Sequence, residues 1–286
     1  MAAVAILVHR QRPEAAAVAR ELAGWLEANG HEVRLPEDDA DVAGLARFSV
    51  DERQLTEGML DLAVAVGGDG TILRTVHLVT EAGVPVLGVN VGQLGYLSEV
   101  EPTDARAAVE KVLAGQHGIE ERMMVSVRVE AGGDVGPTVG FALNEAVLEK
   151  TPMGHTARIG VSLDGDFWTS YAADGLIVAS PTGSTAYSFS ARGPIIDPDL
   201  RALVLTPVSP HMLFDRSMVL SPSIEVRLEV LGHRPATLSV DGRNFGDLHE
   251  GDAVICTAAP QSAQLVTFGP RDFHRILKKK FGLSDR

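Results

Sequence analysis

Three glycines surround one carboxylate in the segment Gly67-Gly68-Asp69-Gly70-Thr71, which follows an apolar run ending at Val66. Apolar residues then recur at helical spacing, so the pattern predicts a strand, a tight glycine turn and a helix with Thr71 as its N-cap. Glycines let the backbone approach an anion closely, and the amides and dipole of a helix start favour negative charge there. The segment therefore predicts a phosphate-binding turn, in which Asp69 makes sense if a metal ion bridges it to phosphate or if it accepts a proton. An ordinary Asp-Gly hairpin turn is the alternative, and the helical pattern argues against it.

Hydroxyl side chains crowd the end of a second buried run, between Asp174 and Ser190. They belong to Thr182, Ser184, Thr185, Ser188 and Ser190. Turn and cap chemistry is one interpretation. The other is a binding edge for a polyhydroxylated ligand such as ribose with a flat base, where Tyr187 stacks on the base and Asp174 accepts hydrogen bonds. Asn144-Glu145 interrupts another apolar run with two polar side chains, which favours a ligand-facing position over a chance surface.

Several well-known signatures are missing from the sequence. It contains no G-x-x-x-x-G-K-[ST] loop, no G-x-G-x-x-G fingerprint, no H-R-D and D-F-G pair, no G-x-S-x-G elbow and no paired His or Cys spacing for zinc. The commonest phosphate-handling and hydrolytic families are therefore excluded. The nine histidines are scattered. We single out His211, with an ordinary loop histidine as the alternative.

The charge balance disfavours polyanionic partners. The chain has 25 Lys and Arg against 38 Asp and Glu, a net charge of -13, which disfavours non-specific binding to nucleic acid or to anionic membrane lipid and favours small molecules or protein as partners. The single cysteine, Cys256, excludes an intramolecular disulfide and indicates core packing in a reducing cytoplasm. Residues 2–8 are too short to span a membrane and lack the flanks of a signal peptide, so they predict a first strand.

Strands alternate with helices in the first part of the chain. The pattern predicts strands at 3–8, 33–35, 61–66 and 84–89, and helices at 13–26, from the glycine turn to about 82, and at 103–113. The segment from Glu37 to Asp41 is predicted to be a solvated acidic loop rather than a metal site. The alternation implies a parallel sheet with ligands at the carboxyl ends of its strands, where the glycine turn and a second glycine loop at 90–97 lie.

The second part of the chain has a different pattern, because strict alternation of apolar and polar residues replaces the helical spacing. It predicts strands at 124–130, 137–148, 157–163, 175–179, 202–206, 217–220, 224–230, 236–240, 253–258 and 263–268, with a hairpin connection at 132–134. Many strands with few helices indicate an antiparallel β domain. The tail from Asp272 to Leu283 predicts an amphipathic helix. Its lysines 278–280 are interpreted as a solvated face or a helix-end charge rather than a nucleic-acid patch.

The order and spacing of five segments resemble those of NAD kinases, the ATP- or polyphosphate-dependent enzymes that make NADP. The segments are Gly67 to Thr71, Asn144-Glu145, Asp174 to Ser190, Thr206 to His211 and Val240-Asp241-Gly242. The resemblance spans nearly the whole chain. The glycine segment alone is shared with lipid kinases of the diacylglycerol type and with phosphofructokinases, whereas its combination with the Thr-Gly-Ser-Thr-Ala-Tyr run is highly specific.

The resemblance implies roles for individual residues. Asp69 corresponds to the general base. Apart from the resemblance, Arg74 is a candidate phosphate partner because it lies one helical turn after the glycine turn, which itself supplies few cations. The implied residues of the phosphate-donor turn are Gly67, Gly68, Gly70 and Thr71. The implied NAD-binding residues are Asn144 and Glu145 for the adenosine ribose, Asp174 for the nicotinamide side, and Thr185, Ala186, Tyr187, Ser188 and Ser190 for the adenine and ribose pocket. His155 stands where other members often carry a basic side chain, Arg243 stands near a position that is often glutamine, and Arg192 replaces the first of two glycines.

The resemblance also implies an architecture and a reaction. The expected fold is a Rossmann-like α/β domain at 1–117 that binds the phosphate donor, joined by the tail 271–286, and an antiparallel, sandwich-like all-β domain at 118–270 that binds NAD. The last helix is expected to pack on the first domain. The implied reaction transfers the γ-phosphoryl group of ATP, or a group from polyphosphate, to the 2′-hydroxyl of the adenosine ribose of NAD with Mg²⁺, in a cytoplasmic homodimer or homotetramer.

Two alternatives stay open at this point. The first is a kinase for a membrane lipid, against which the acidic charge and the lack of a basic amphipathic membrane helix argue. The second is a dinucleotide sensor without turnover, against which the intact Asp69 argues.

Overall fold

The computed structural model describes residues 1–93, 95–132, 134–151 and 155–283, with the backbone alone at residues 134, 135 and 137–139. Leu94 of the predicted second glycine loop, Gly133 of the predicted hairpin connection and residues 284–286 of the predicted tail lie outside the described residues. The chain forms two compact units, Met1–Glu121 with Ala263–Arg286, and Arg122–Ser262. Within the described ranges, no helix has the length and apolar character that crossing a membrane requires.

In chain order the helices and strands are β1 (Ala3–Val8), α1 (Pro13–Ala28), β2 (Glu32–Pro36), α2 (Glu37–Ala43), β3 (Ser49–Val50), β4 (Leu62–Gly67), α3 (Asp69–Val79), β5 (Val86–Asn90), α4 (Ala105–Leu113), β6 (Gly118–Ala131), β7 (Asp134–Ala142), β8 (Glu145–Lys150), β9 (Ala157–Leu163), β10 (Asp166–Ala173), β11 (Gly175–Ala179), α5 (Tyr187–Ser190), β12 (Leu203–Val208), β13 (Met218–Leu220), β14 (Val226–Val230), β15 (Ala236–Val240), β16 (Arg243–Leu248), β17 (Ala253–Thr267) and α6 (Phe273–Lys280). Short 3₁₀ turns occur at Ala46–Phe48, Glu52–Gln54, Thr80–Ala82, Pro102–Asp104 and Thr182–Thr185.

The first unit is built on a parallel sheet in which the end of β17 is followed by β5, β4, β1, β2 and β3. Every residue of β4 except its terminal glycine is an apolar, buried side chain, as expected for a parallel strand that is covered on both faces. The register places Gly67 of β4 beside Asn90 of β5. The two loops that leave these strands therefore start next to each other at the carboxyl edge, and the predicted parallel α/β sheet is confirmed.

Two predictions about the first unit are wrong. The acidic segment at 37–41 is not a solvated loop but lies in helix α2, and Asp39 within it is fully buried. The acidic residues fit the first turn of a helix, because the positive end of the helix dipole stabilises them. Thr71 is not an N-cap, since α3 already begins at Asp69 with Gly68 as its N-cap in an extended conformation.

The second unit is an antiparallel β structure with two sheets. One sheet has the order β13, β12, β11, β8, β15 and β16. The other contains β10, β9, β14 and the start of β17, and β6 pairs with β7. A single apolar cluster draws residues from both sheets, among them Val125, Leu148, Ile159, Leu176 and Leu228. The sheets therefore share one core, as in a sandwich, and the predicted antiparallel β domain is confirmed.

The strand predictions for this unit need three corrections. The predicted strand at 137–148 is interrupted at Leu143 and Asn144, which separate β7 from β8. The predicted strands at 253–258 and 263–268 form one long strand, β17. Strands β10 and β16 were not predicted, and the first five residues of β16 are exposed, so this edge strand lacks the alternation that signals a buried face.

Candidate active site

The glycine turn presents the start of α3 to solvent at the end of β4. The first amides that bond within the helix are those of Thr71 and Ile72, at 2.9 and 3.2 Å from the Gly68 carbonyl oxygen. The amides of Asp69 and Gly70 precede these bonds and belong to the group that a helix start leaves for other acceptors. A Cβ on Gly67 would lie 2.2 Å from Oγ1 of Thr71, so glycine allows Thr71 to pack against the strand end. The turn has the form of an anion site.

The Asp69 carboxylate is held by the loop that follows β5. Its Oδ2 accepts the Tyr96 amide at 2.8 Å and its Oδ1 accepts the Leu97 amide at 3.0 Å. A Cβ on Gly95 would lie 2.2 Å from Oδ1, so only glycine permits this approach. The Asp69 side chain remains 29% exposed. The carboxylate thus has a fixed orientation and is still accessible.

Basic side chains line a cavity of about 520 Å³ in front of the turn. Besides Gly68, Asp69, Gly70, Thr71 and Arg74, it is lined by the segment Val8 to Arg12. Arg12 donates a hydrogen bond to the Val91 carbonyl oxygen, and Arg10 pairs with Asp38 at 2.7 Å. Sequence reasoning missed Arg10 and Arg12. The available signal was their position after β1, at the carboxyl edge where ligands of parallel sheets bind.

Arg74 is engaged by the buried Asp39. Its Nη1 lies 2.6 Å from Oδ2 of Asp39, and its Nη2 donates to the Val8 carbonyl oxygen at 2.9 Å. Asp39 also accepts the Val8 amide. This pairing offsets the charge of Arg74, although the guanidinium still lines the cavity and is 25% exposed. Arg74 thus joins the end of β1 to the glycine turn.

In the second unit, Asp241 holds the polar break between β7 and β8. Its carboxylate accepts the amides of Leu143, Asn144 and Glu145 at 2.7, 2.8 and 2.9 Å. Asp241 itself has a left-handed backbone, with φ at 46°. The two predicted ribose-binding residues are therefore positioned by an aspartate on the turn between β15 and β16. Arg243 pairs with Val240 across this turn, so it lies beside Asp241.

Glu145 is a buried carboxyl group with an open hydrogen-bonding atom. Its residue exposure is 7%, and its Oε2 has no hydrogen-bond partner within the described part of the chain. Burial, together with the nearby negative charge of Asp241, raises the pKa of Glu145 to about 8, while a hydrogen bond from the Tyr187 backbone opposes this shift. A ligand hydroxyl would supply the missing partner.

Of the hydroxyl side chains between Asp174 and Ser190, some are hydrogen-bonded within the protein and others are exposed to solvent. Ser188 is buried and shares a 2.9 Å hydrogen bond with Thr206, and Thr185 donates to the Thr182 carbonyl oxygen. Ser184 bonds to the backbone of Ile196. Only the Thr185 bond is local turn chemistry, whereas Ser184 and Ser188 bond to residues that are distant in sequence.

Tyr187 and Ser190 are exposed instead and line a cavity of about 770 Å³ that also contains Arg192. Ala186, which precedes Tyr187, is half-buried. Burial raises the pKa of Tyr187, and the negative charges of Glu149, Asp174 and Glu145 add to this shift, while Lys150 opposes it. Glu145 and Asp174 lie towards opposite ends of the β8–β11 pair, because Glu145 is beside Ala179 and Asp174 precedes Gly175, which is beside Glu149.

Three other predicted site residues occupy separate positions. Asp174 forms an ion pair with Lys150, with Oδ1 and Nζ 2.6 Å apart. His155 is exposed and precedes β9. His211 is also exposed, and its amide donates to the Ala172 carbonyl oxygen at 2.7 Å.

The features of the glycine turn and its cavity are those of one class of enzymes. A helix start whose first amides lie outside the helical hydrogen bonds, a fixed carboxylate and a flanking set of arginines are the groups that a nucleotide-dependent phosphotransferase uses. The comparisons with known proteins identify the class more closely.

Residues 4–117 match the model of the ATP-NAD kinase N-terminal domain, and residues 143–268 match that of the ATP-NAD kinase C-terminal domain. An NAD kinase of Heliobacterium modesticaldum is 41% identical, with 98% of each chain covered. An NAD kinase of Syntrophotalea carbinolica is 36% identical, with 100% of each chain covered. The crystal structure of yeast NADH kinase complexed with NADH matches with a TM-score of 0.90 at 26% identity, covering 100% of this chain and 89% of the other. The chain belongs to the NAD kinase family, and it is an enzyme.

Proposed function

We propose that this chain transfers the γ-phosphoryl group of ATP to the 2′-hydroxyl of the adenosine ribose of NAD, giving NADP. The unit with the glycine turn takes the phosphate donor, and the β unit takes NAD. The family membership supports the reaction. The observation that carries the assignment of residues is the Asp69 carboxylate, which two backbone amides hold at the start of α3.

Asp69 acts as the general base in this proposal. As the bond between the γ-phosphorus and the bridging oxygen of ATP breaks, its electrons leave with ADP. The 2′-oxygen forms the new bond to phosphorus and its proton passes to a carboxylate oxygen of Asp69. The transition state is loose, so a base accepts the proton late and positioning contributes most of the acceleration. The amides of the glycine turn and the arginines of the cavity stabilise the phosphate oxygens.

Magnesium enters this proposal with the nucleotide. The described ranges contain no group of three or more His, Cys, Asp or Glu arranged to hold a metal ion. Both oxygens of Asp69 also accept backbone amides already. These side chains do not fit a metal cage built by the protein alone. We propose that the donor phosphates provide most of the ligands for Mg²⁺, as is common for this ion.

The polar residues of the β unit hold NAD. Glu145 accepts a hydrogen bond from a ribose hydroxyl through its unpartnered oxygen, and Asn144 lies next to it on the segment held by Asp241. Tyr187 stacks on the adenine and Ser190 contacts the same nucleoside. Asp174 faces the nicotinamide side, where Lys150 keeps its orientation. Thr185 and Ser188 keep the backbone of this segment in place, because their hydroxyls are bonded internally.

The test is a coupled assay for NADP with purified protein, Mg²⁺, NAD and, in turn, ATP, GTP or polyphosphate. We expect Asp69→Asn to lower kcat by about 10²- to 10⁴-fold, the usual contribution of a general base, while the Kd for NAD stays within a few-fold. Asp104→Asn, at an exposed position of the same unit, is the matched control. Near-normal turnover in Asp69→Asn would remove Asp69 from the mechanism. NAD binding without NADP from any donor, or a lack of NAD binding, would contradict the proposed reaction.

We further propose that the chain forms a homodimer or homotetramer in the cytoplasm. Phe167 and Trp168 on the edge strand β10 are 68% and 51% exposed, and Trp168 packs edge-on against Phe214. An exposed aromatic patch on an open strand edge is typical of an assembly surface. Sedimentation of the wild type and of Trp168→Ser tests this, since the variant should dissociate. The same mass for both proteins would contradict the surface.

A further inference from the structure

We propose that Lys280, the last residue of α6, is a further residue of the donor site and binds the terminal phosphate of ATP next to Asp69. This inference rests on the proposed donor function of the glycine turn. Lys280 Nζ lies 4.0 Å from Oδ2 of Asp69 and 3.9 Å from the centre of the Tyr96 ring. Its side chain is 25% exposed. Helix α6 in the tail of the chain thus places the Lys280 ammonium next to the glycine turn.

The contact between Lys280 and Asp69 is not that of a formed hydrogen bond. A separation of 4.0 Å exceeds the range of N–H to oxygen hydrogen bonds. The two oxygens of Asp69 already accept the amides of Tyr96 and Leu97. The ring of Tyr96 supports the ammonium from one side through a cation–π contact. The ammonium protons are therefore available for a ligand at the turn.

The electrostatics of the turn call for such a cation. Asp69 places a negative charge where a donor with several phosphate charges must bind, and like charges at this range repel. Arg74 is offset by Asp39, and Arg10 is paired with Asp38. Among the residues that the structure describes, Lys280 is the one cation within 4.0 Å of the Asp69 carboxylate. It reduces the repulsion between base and donor, and it neutralises charge on the equatorial oxygens of the γ-phosphoryl group.

The helix dipole does not explain this placement. A lysine in the last turn of a helix is stabilised by the dipole wherever its side chain points. Lys279 occupies the same turn and, like Lys280, is an exposed residue. Lys280 instead lies over Tyr96 and beside Asp69. Lys279 is therefore a matched control for the charge and for the position on α6.

The experiment compares Lys280→Met, Lys280→Arg and Lys279→Met. Initial rates give kcat and KM for ATP and for NAD, and calorimetry gives the Kd for ATP with Mg²⁺. We expect Lys280→Met to lower kcat/KM for ATP about 10- to 100-fold, the loss that removal of one charge-assisted hydrogen bond produces. The Kd for ATP should rise, while the KM for NAD stays the same. Lys280→Arg should recover part of the loss, and Lys279→Met should behave as the wild type.

Other outcomes would overturn the proposal. A kcat/KM for ATP in Lys280→Met that matches the wild type would exclude Lys280 from the donor site. Equal losses in Lys280→Met and Lys279→Met would indicate a general effect of tail charge. A loss in kcat alone, with a displaced acid limb of the pH profile and an unchanged Kd for ATP, would show that Lys280 acts only on Asp69. If Lys280→Met failed to fold, Lys280→Gln and Lys280→Arg would be compared in the same way.

Calorimetry separates this inference from the proposed function. If the wild type binds ATP but makes no NADP, the reaction is wrong and the effect of Lys280→Met on the Kd for ATP still decides the role of Lys280. If the wild type does not bind ATP, both are wrong.

Discussion

Replacing Glu145 with glutamine should change how the stability of the protein depends on pH. Burial and the charge of Asp241 raise the pKa of Glu145 from 4.5 to about 8 in the folded chain. Between these two values the folded state keeps a proton that the unfolded state releases. The stability that the Glu145 carboxyl contributes is fully present below pH 4.5, the pKa in the unfolded chain. It is lost as the pH rises towards about 8, the pKa in the folded chain. The free energy of unfolding should therefore fall by about 1.4 kcal/mol for each pH unit in this window.

The variant Glu145→Gln keeps the size and one accepting oxygen, replaces the other oxygen with a donating NH₂ group, and cannot ionise. We expect its stability, relative to the wild type, to increase steadily from about pH 5 to about pH 8, by several kcal/mol in total. Urea unfolding followed by circular dichroism at four pH values measures this difference. Glu250→Gln, at an exposed position of the same unit, is the control and should show no such trend. Parallel pH dependences for the wild type and Glu145→Gln would refute the reasoning, because Glu145 would then titrate alike in both states.

Three further changes test the close contacts and the backbone strain in the two units. Gly95→Ala places a Cβ 2.2 Å from Oδ1 of Asp69, so the initial rate of NADP formation should fall about 100-fold, the cost of a displacement of about 1 Å; an unchanged rate would contradict this contact. Gly183→Ala places a Cβ 2.1 Å from the carbonyl oxygen of Asn144, so NAD affinity measured by calorimetry and the Tm should both fall, and retention of both would be the contrary result. Arg192 has a φ of 66°, so in urea unfolding Arg192→Gly should be more stable than Arg192→Ala by about 1 kcal/mol; equal stability would show that the backbone is not strained.

The parts of the structure that the sequence predicted are those with a local cause. The strand β4, the glycine turn and α3 follow one another in sequence, and each carries its own signal of apolar run, glycine or helical spacing. The glycines of the loop at 90–97 were visible in the sequence, but the contact of Gly95 was not, because it depends on the Asp69 carboxylate at the start of α3. Asp241 likewise positions Asn144 and Glu145 from a distant strand connection. Neither contact has a period or a spacing that a sequence could display.

Charge pairing explains why the sequence-based predictions for the acidic segment 37–41 and for Arg74, both near the glycine turn, differ from the structure. The acidic segment of α2 has the composition of a solvated loop, and only the fold shows that Asp39 is buried against Arg74. Arg74 is the arginine nearest to the glycine turn in sequence, but its charge is largely offset by Asp39. It is therefore less available to a phosphate than its position suggests. The balance of charge at Asp69 must then be supplied by other segments, and the structure offers the loop after β1 and the end of α6. A phosphate donor would thus be held by chain segments from both ends of the first unit, and the local motif would supply amides and the base.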